Sequence, residues 1–124
     1  MVISTGIDIV EIQRIGKIYD RFRDKFLKRL YSDEEIEILH KRPGVMLSVM
    51  AGKFAAKEAV IKALGVIFDS GVYLKDIEIL NHASGMPYVH LPDRLNKVMS
   101  GREIIVSITH ESNYAAAVAI ISGK

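Results

Sequence analysis

Residues 48–65, SVMAGKFAAKEAVIKALG, constrain this chain more than any other stretch. Alanines mixed with Lys and Glu favour a helix, and nothing from 49 to 64 breaks it except Gly52 near the start. Met50, Phe54, Ile61 and Leu64 recur at helical spacing and predict one apolar stripe. Glu58 and Lys62 lie one turn apart beside that stripe. Ala51, Ala55, Ala59 and Ala63 flank the pair, and such small side chains let a neighbouring backbone or ligand come close. Gly65 is placed to end the helix as a C′ residue. Taken alone, this is a core helix with an ordinary surface ion pair, worth only about 0.2–0.5 kcal/mol.

The remaining composition narrows the class. A length of 124 residues fits one domain over 1–124 with a single core. With 49% hydrophobic and 26% charged residues it reads as globular. No apolar run approaches the roughly 20 residues that span a bilayer, and the start lacks the basic n-region of a secretory signal. Hence no membrane role and a cytoplasmic location are expected. The absence of Cys excludes disulfides, thiolate nucleophiles and Cys-ligated zinc. A net charge of +2 is too small to imply a nucleic-acid partner by itself.

Along the chain, residues 2–10 read as a β-branched strand interrupted by Gly6, the mark of a bulge or of a close backbone approach. Asp8 stands among Ile7, Ile9 and Val10, where a carboxylate either faces water or needs a partner. Residues 12–30 switch to helical spacing. Their polar face carries Arg14, Lys17, Arg21, Arg23, Lys25, Lys28 and Arg29 against Asp20 and Asp24, a solvated face or a docking surface for an acidic partner. Residues 31–40 start a new helix, with Ser32 as N-cap and Glu35 at N3. Lys41, Arg42, Pro43 and Gly44 break the chain before the central helix. Residues 66–75 are irregular, with a short extended piece at Val72 and Tyr73. A hairpin follows, with strands at 76–81 and 86–91 around His82, Ala83, Ser84 and Gly85. A short helix at 92–101, a strand at 103–110, a turn and an Ala-rich strand at 114–122 complete an α+β domain: an antiparallel sheet packed on helices, including the long central one.

Three features are odd for a purely structural domain. Asp8 is a lone carboxylate in an apolar strand, Glu58 and Lys62 sit on an Ala-lined helix face, and Ser107, Thr109 and His110 gather at a strand end. Two carboxylates without a His or Cys cluster suit a hard cation such as Mg²⁺, which keeps waters and substrate phosphates as its other ligands. A nearby Lys and hydroxyls suit phosphate oxygens. The chemistry so indicated is phosphoryl transfer, although no P-loop or kinase signature occurs.

GIDIVEIQRI (6–15), FAAKEAVIKALG (54–65), SGMPYV (84–89) and VSITHESNYAAAVAI (106–120), in this order, resemble the bacterial holo-[acyl-carrier-protein] synthases, the short type of 4′-phosphopantetheinyl transferase. The resemblance implies that family's fold. It also implies Mg²⁺-dependent transfer of 4′-phosphopantetheine from coenzyme A to a serine of apo acyl carrier protein, releasing adenosine 3′,5′-bisphosphate, as fatty acid biosynthesis requires. The family's metal carboxylates map onto Asp8 and Glu58, and its helix lysine onto Lys62. Its strand-end binding segment maps onto Ser107, Thr109 and His110. Coenzyme contacts are expected from Lys62 and Lys53, with Lys57, Lys41 and Arg42 as further phosphate candidates. Glu58 and Lys62 are the expected catalytic pair, and Glu35 is a second candidate base.

The carrier protein is acidic, which gives the basic face a partner. Arg14 and Arg21 are the expected docking cations, with Phe22 or Phe26 as apolar contacts. Relatives usually carry Thr-Gly where Val66 and Ile67 stand, and often Arg where Lys53 stands, which bears on coenzyme affinity. The short type forms trimers with sites at subunit junctions, so a homotrimer is expected. Two rival readings remain: a module binding RNA through the basic helix, and a structural subunit with an incidental Glu–Lys pair.

Overall fold

The computed structural model describes residues 1–68 and 71–123, so Asp69 and Ser70, within the segment expected to be irregular, lie outside it. In chain order come β1 (Val2–Glu11), α1 (Ile12–Phe22), α2 (Asp24–Leu30), α3 (Asp33–Lys41), α4 (Met46–Leu64), β2 (Glu78–Asn81), β3 (Pro87–His90), α5 (Asp93–Met99), β4 (Glu103–His110) and β5 (Tyr114–Ser122). Short 3₁₀ turns precede α4 at Pro43–Val45 and β2 at Leu74–Asp76. Three strands form an antiparallel sheet in the order β1-β5-β4. The β2–β3 hairpin does not join it and forms a two-stranded sheet of its own.

α4 lies across one face of the three-stranded sheet, in contact with β1, β5 and β4. Small residues set the closeness of this layer. Ala115, Ala117 and Ala119 of β5 are buried beneath the helix, as are Ala55, Ala59 and Ala63 on the helix itself. Gly6 of β1 pairs with Ala119 and meets α4 backbone to backbone. A Cβ at Gly6 would lie 1.9 Å from the Ala59 carbonyl oxygen and 2.9 Å from the Ala63 nitrogen. The interruption of the first strand is therefore a close approach. Two residues earlier, Ser4 Oγ donates to the Ala63 carbonyl at 2.8 Å and ties the same strand to the same turn.

Gly6→Ala is expected to destabilise the fold by about 1–3 kcal/mol or more, because backbone rather than a flexible side chain must move. A chemical-denaturation midpoint within error of wild type would contradict this packing.

Three local expectations are corrected. The 12–30 stretch is two helices, because Arg23 takes a φ of +49° and its N–H bonds back to the Tyr19 carbonyl at 2.7 Å. Gly65 is not left-handed: its φ is −56°, and the turn runs on until Phe68 N–H donates to the Leu64 carbonyl at 2.9 Å. The central helix also carries more than one apolar stripe. The sheet covers one side, and α1, α3 and β2 also pack against it, so even Lys53 and Lys57 are buried. Phe54 and Ile61, expected in the stripe, are only partly buried.

Candidate active site

The close seat of β1 on α4 decides where the site lies. Asp8 follows Gly6 by two residues, so it points to the same, helix-covered face, in a row with Ala117 and Ile108. Its side chain is mostly covered. Lys62 arrives from the last turn of α4 and donates to Asp8 Oδ1 at 3.1 Å and to the Ile7 carbonyl at 2.9 Å. Glu58 lies one turn earlier and is half-buried. Burial first, and then the charge of Asp8, push its carboxyl above the usual carboxylate range, while Lys62 acts the other way. Asp8, Glu58 and Lys62 thus form one electrostatically coupled group at the β1–α4 junction.

Two carboxylates whose charges oppose each other, with no soft ligand beside them, fit a hard divalent cation. Among the described residues no group of three His, Cys, Asp or Glu side chains could hold a metal. Such a cation would complete its shell with water and substrate oxygens, which is the usual arrangement for Mg²⁺.

Ser107 and Thr109 are not brought to this group. They face the opposite side of the sheet, in rows with Val118 and Ile7 and with Ala116 and Ile9. His110 ends β4 on the helix side, where it lines an open groove of about 500 Å³ with Ile12, Val45, Leu47 and Ser48.

Lys53, Lys57 and Glu35 need a larger correction. Lys53 is 3% exposed and Lys57 and Glu35 are 0% exposed. The Lys53 ammonium donates to the Ile79 carbonyl. Lys57 Nζ donates to Glu35 Oε1 at 2.6 Å, to the Leu74 carbonyl at 3.1 Å and to the Ile77 carbonyl. Glu35 also accepts from Ser32 N–H and Ile79 N–H, both at 2.9 Å. These side chains satisfy backbone groups around the start of β2 in the way a neighbouring strand would. Burial pulls both lysines below their ordinary range, and Glu35 acts against that. None of the three is presented to a coenzyme phosphate or an incoming hydroxyl. The Ser32–Glu35 capping box was legible, but nothing in the spacing of the lysines showed that Glu35 would also be their partner.

Of the expected docking residues, Phe26 is buried and packs its edge against Tyr31 at 6.2 Å between ring centroids, so it belongs to the core. Phe22 is half-exposed, with the Arg21 guanidinium 5.2 Å from its ring. Arg14 is exposed and borders a groove of about 360 Å³ whose other walls include Ile9, Ile15, Ile18 and Phe54. Lys41 and Arg42 are exposed, and Lys41 pairs with Glu37 at 3.4 Å. Sequence reading missed the outer sheet face, where Ile7, Ile9 and Ile105 stand 69%, 65% and 56% exposed. Their alternation with Gly6, Asp8 and Val106 was the available signal.

Among the described residues no helix is long and apolar enough to cross a membrane. The profile of the 4′-phosphopantetheinyl transferase superfamily matches residues 4–119. The holo-[acyl-carrier-protein] synthase of Pelodictyon phaeoclathratiforme is 47% identical over 116 residues, which cover 94% of this chain and 95% of that protein. The fold is similar to the crystal structure of the Helicobacter pylori holo-[acyl-carrier-protein] synthase in complex with coenzyme A, with a TM-score of 0.83, 36% identity and coverage of 95% and 99% of the two chains. It is also similar to the Neisseria meningitidis synthase, with a TM-score of 0.87, 26% identity and coverage of 99% and 100%. The chain belongs to the 4′-phosphopantetheinyl transferase superfamily.

Proposed function

We propose that this protein moves 4′-phosphopantetheine from coenzyme A to a serine hydroxyl of apo acyl carrier protein, as a holo-[acyl-carrier-protein] synthase in the cytoplasm. The observation that carries the reading is the convergence of Asp8, Glu58 and Lys62 at the β1–α4 junction, in a chain 47% identical to a synthase of that name.

The serine oxygen attacks the phosphorus that carries the pantetheine arm. The bond from that phosphorus to the bridging oxygen breaks, and adenosine 3′,5′-bisphosphate leaves. The nucleophile belongs to the partner, so this chain needs no activated Ser or Cys of its own. Its tasks are to position the attack and to offset charge growing on the leaving group. Asp8 and Glu58 would hold a Mg²⁺ ion, which supplies charge neutralisation at the diphosphate when bound. Glu58, the half-buried carboxylate grouped with Asp8 and Lys62, accepts the serine proton. Lys62 is half-exposed at the rim and brings a second positive charge to the phosphate oxygens. Release of adenosine 3′,5′-bisphosphate from coenzyme A must depend on apo carrier protein. No release by folded protein, across several carrier proteins and with Mg²⁺ present, would overturn the assignment.

Docking uses the basic side of α1 and α2. Arg14 at the rim of the apolar groove and Arg21 beside Phe22 pair cations with apolar contact area. Such rim charges act mainly on encounter and weak affinity. Arg14→Glu or Arg21→Glu should raise KM for carrier protein roughly tenfold, as loss of steering and a reversed charge would. The dissociation constant for coenzyme A should stay unchanged. Equal losses in both would remove the docking role.

The outer sheet face supports a homotrimer with active sites between subunits. An antiparallel sheet with one face on its core usually shows water a polar opposite face. Here Ile7, Ile9 and Ile105 are exposed on it, and Val118 and Ile120 fill β5 between them. Ser107 and Thr109 share that face, so a site that uses them together with Asp8 requires a second copy. Sedimentation should give three times the chain mass, and Ile7→Lys should shift it to one. A wild-type monomer with full activity would contradict this assembly.

A further inference from the structure

Lys62 meets the carboxylate that would ligate the cation. Its ammonium sits 3.1 Å from Asp8 Oδ1 and is steadied by the Ile7 carbonyl at 2.9 Å. The contact is one-sided in its surroundings: the Asp8 side chain is mostly covered, whereas that of Lys62 is half-exposed, with solvent on its outer side. An oxygen held by an ammonium is a poorer ligand, because a cation must displace that partner or share it against charge repulsion.

We propose, on the basis of the metal-dependent reading above, that Lys62 is an internal competitor for Asp8, and that a bound diphosphate relieves the competition by drawing the ammonium away. Lys62 then does more than neutralise phosphate: it couples the two binding events. Coupling of this kind is reciprocal, so the cation must also tighten binding of the coenzyme.

The test is a Mn²⁺ titration followed by electron paramagnetic resonance, with no carrier protein and hence no turnover. It uses the wild-type protein, Lys62→Gln, Lys62→Arg and Asp8→Asn, each checked for fold by circular dichroism. Without coenzyme A, Lys62→Gln should bind Mn²⁺ about tenfold more tightly than wild type, within the usual range for coupled sites. Lys62→Arg, which keeps the charge, should show no such gain. At saturating coenzyme A the advantage of Lys62→Gln should shrink to within about threefold, since the diphosphate then holds the wild-type lysine. Equal affinities of wild type and Lys62→Gln without coenzyme would overturn the proposal. So would a gain that persists undiminished with coenzyme, which is what a remote charge alone produces. Mn²⁺ binding by Asp8→Asn as tight as by wild type, or no binding by any form, would instead overturn the metal reading on which the proposal rests.

Discussion

Glu35→Ala is expected to lower the stability of this protein by about 3–5 kcal/mol, the usual result of removing one partner from a buried ion pair. The side chain accepts from Ser32 N–H, Ile79 N–H and the Lys57 ammonium, and neither it nor Lys57 is exposed. Alanine leaves the Lys57 charge among backbone carbonyls and the Ile79 N–H without an acceptor, and it removes half of a capping box. A loss of that size is a large share of the roughly 5–15 kcal/mol that holds most domains together. Urea denaturation measures it. Glu35→Leu combined with Lys57→Met should recover only part of the loss: it removes the orphaned charge but leaves the Ile79 N–H and the Leu74 and Ile77 carbonyls without partners. A single-variant loss under about 1 kcal/mol would mean that the network is not a stabilising clamp.

Glu58→Ala should do the reverse, leaving the fold alone and removing the chemistry. Glu58 is half-buried at the edge of α4, and alanine is the best helix former. Its melting temperature should therefore stay close to wild type. The rate of transfer should fall by about 10²–10⁴, the usual contribution of a positioned base, with loss of a metal carboxylate adding to it. Asp8→Ala should fall comparably. Initial rates of adenosine 3′,5′-bisphosphate release at saturating coenzyme A and carrier protein decide this. A folded Glu58→Ala protein within tenfold of wild type would exclude Glu58 as base and ligand together.

These two glutamates show what local sequence carries and what it does not. β4 and β5 fall at residues 103–110 and 114–122 as read, because alternation and turn residues bracket them. Ser32 and Glu35 form the capping box their spacing announces. The break at Arg23 was hidden, because a non-glycine residue with positive φ leaves no compositional mark. The burial of Lys53 and Lys57 was hidden too. Helical lysines are normally at the surface, and only the packing of the sheet, α1, α3 and β2 around α4 places these two inside. At the site, Asp8 stood out as a carboxylate in an apolar strand, and Gly6 marked the close approach that delivers it to Lys62. Ser107 and Thr109 alternate with Val106 and Ile108 as Ile7 and Ile9 alternate with Asp8, and pairing through β5 puts the two odd-numbered rows on the face away from Asp8.

If the Asp8–Glu58–Lys62 group transfers phosphopantetheine, the intact mass of an apo acyl carrier protein must change on incubation with this protein, coenzyme A and Mg²⁺. The carrier should gain the mass of one phosphopantetheine, on serine, and the gain should be abolished by EDTA and by Asp8→Ala. An unmodified carrier with folded wild-type protein, or modification that survives both treatments, would contradict it.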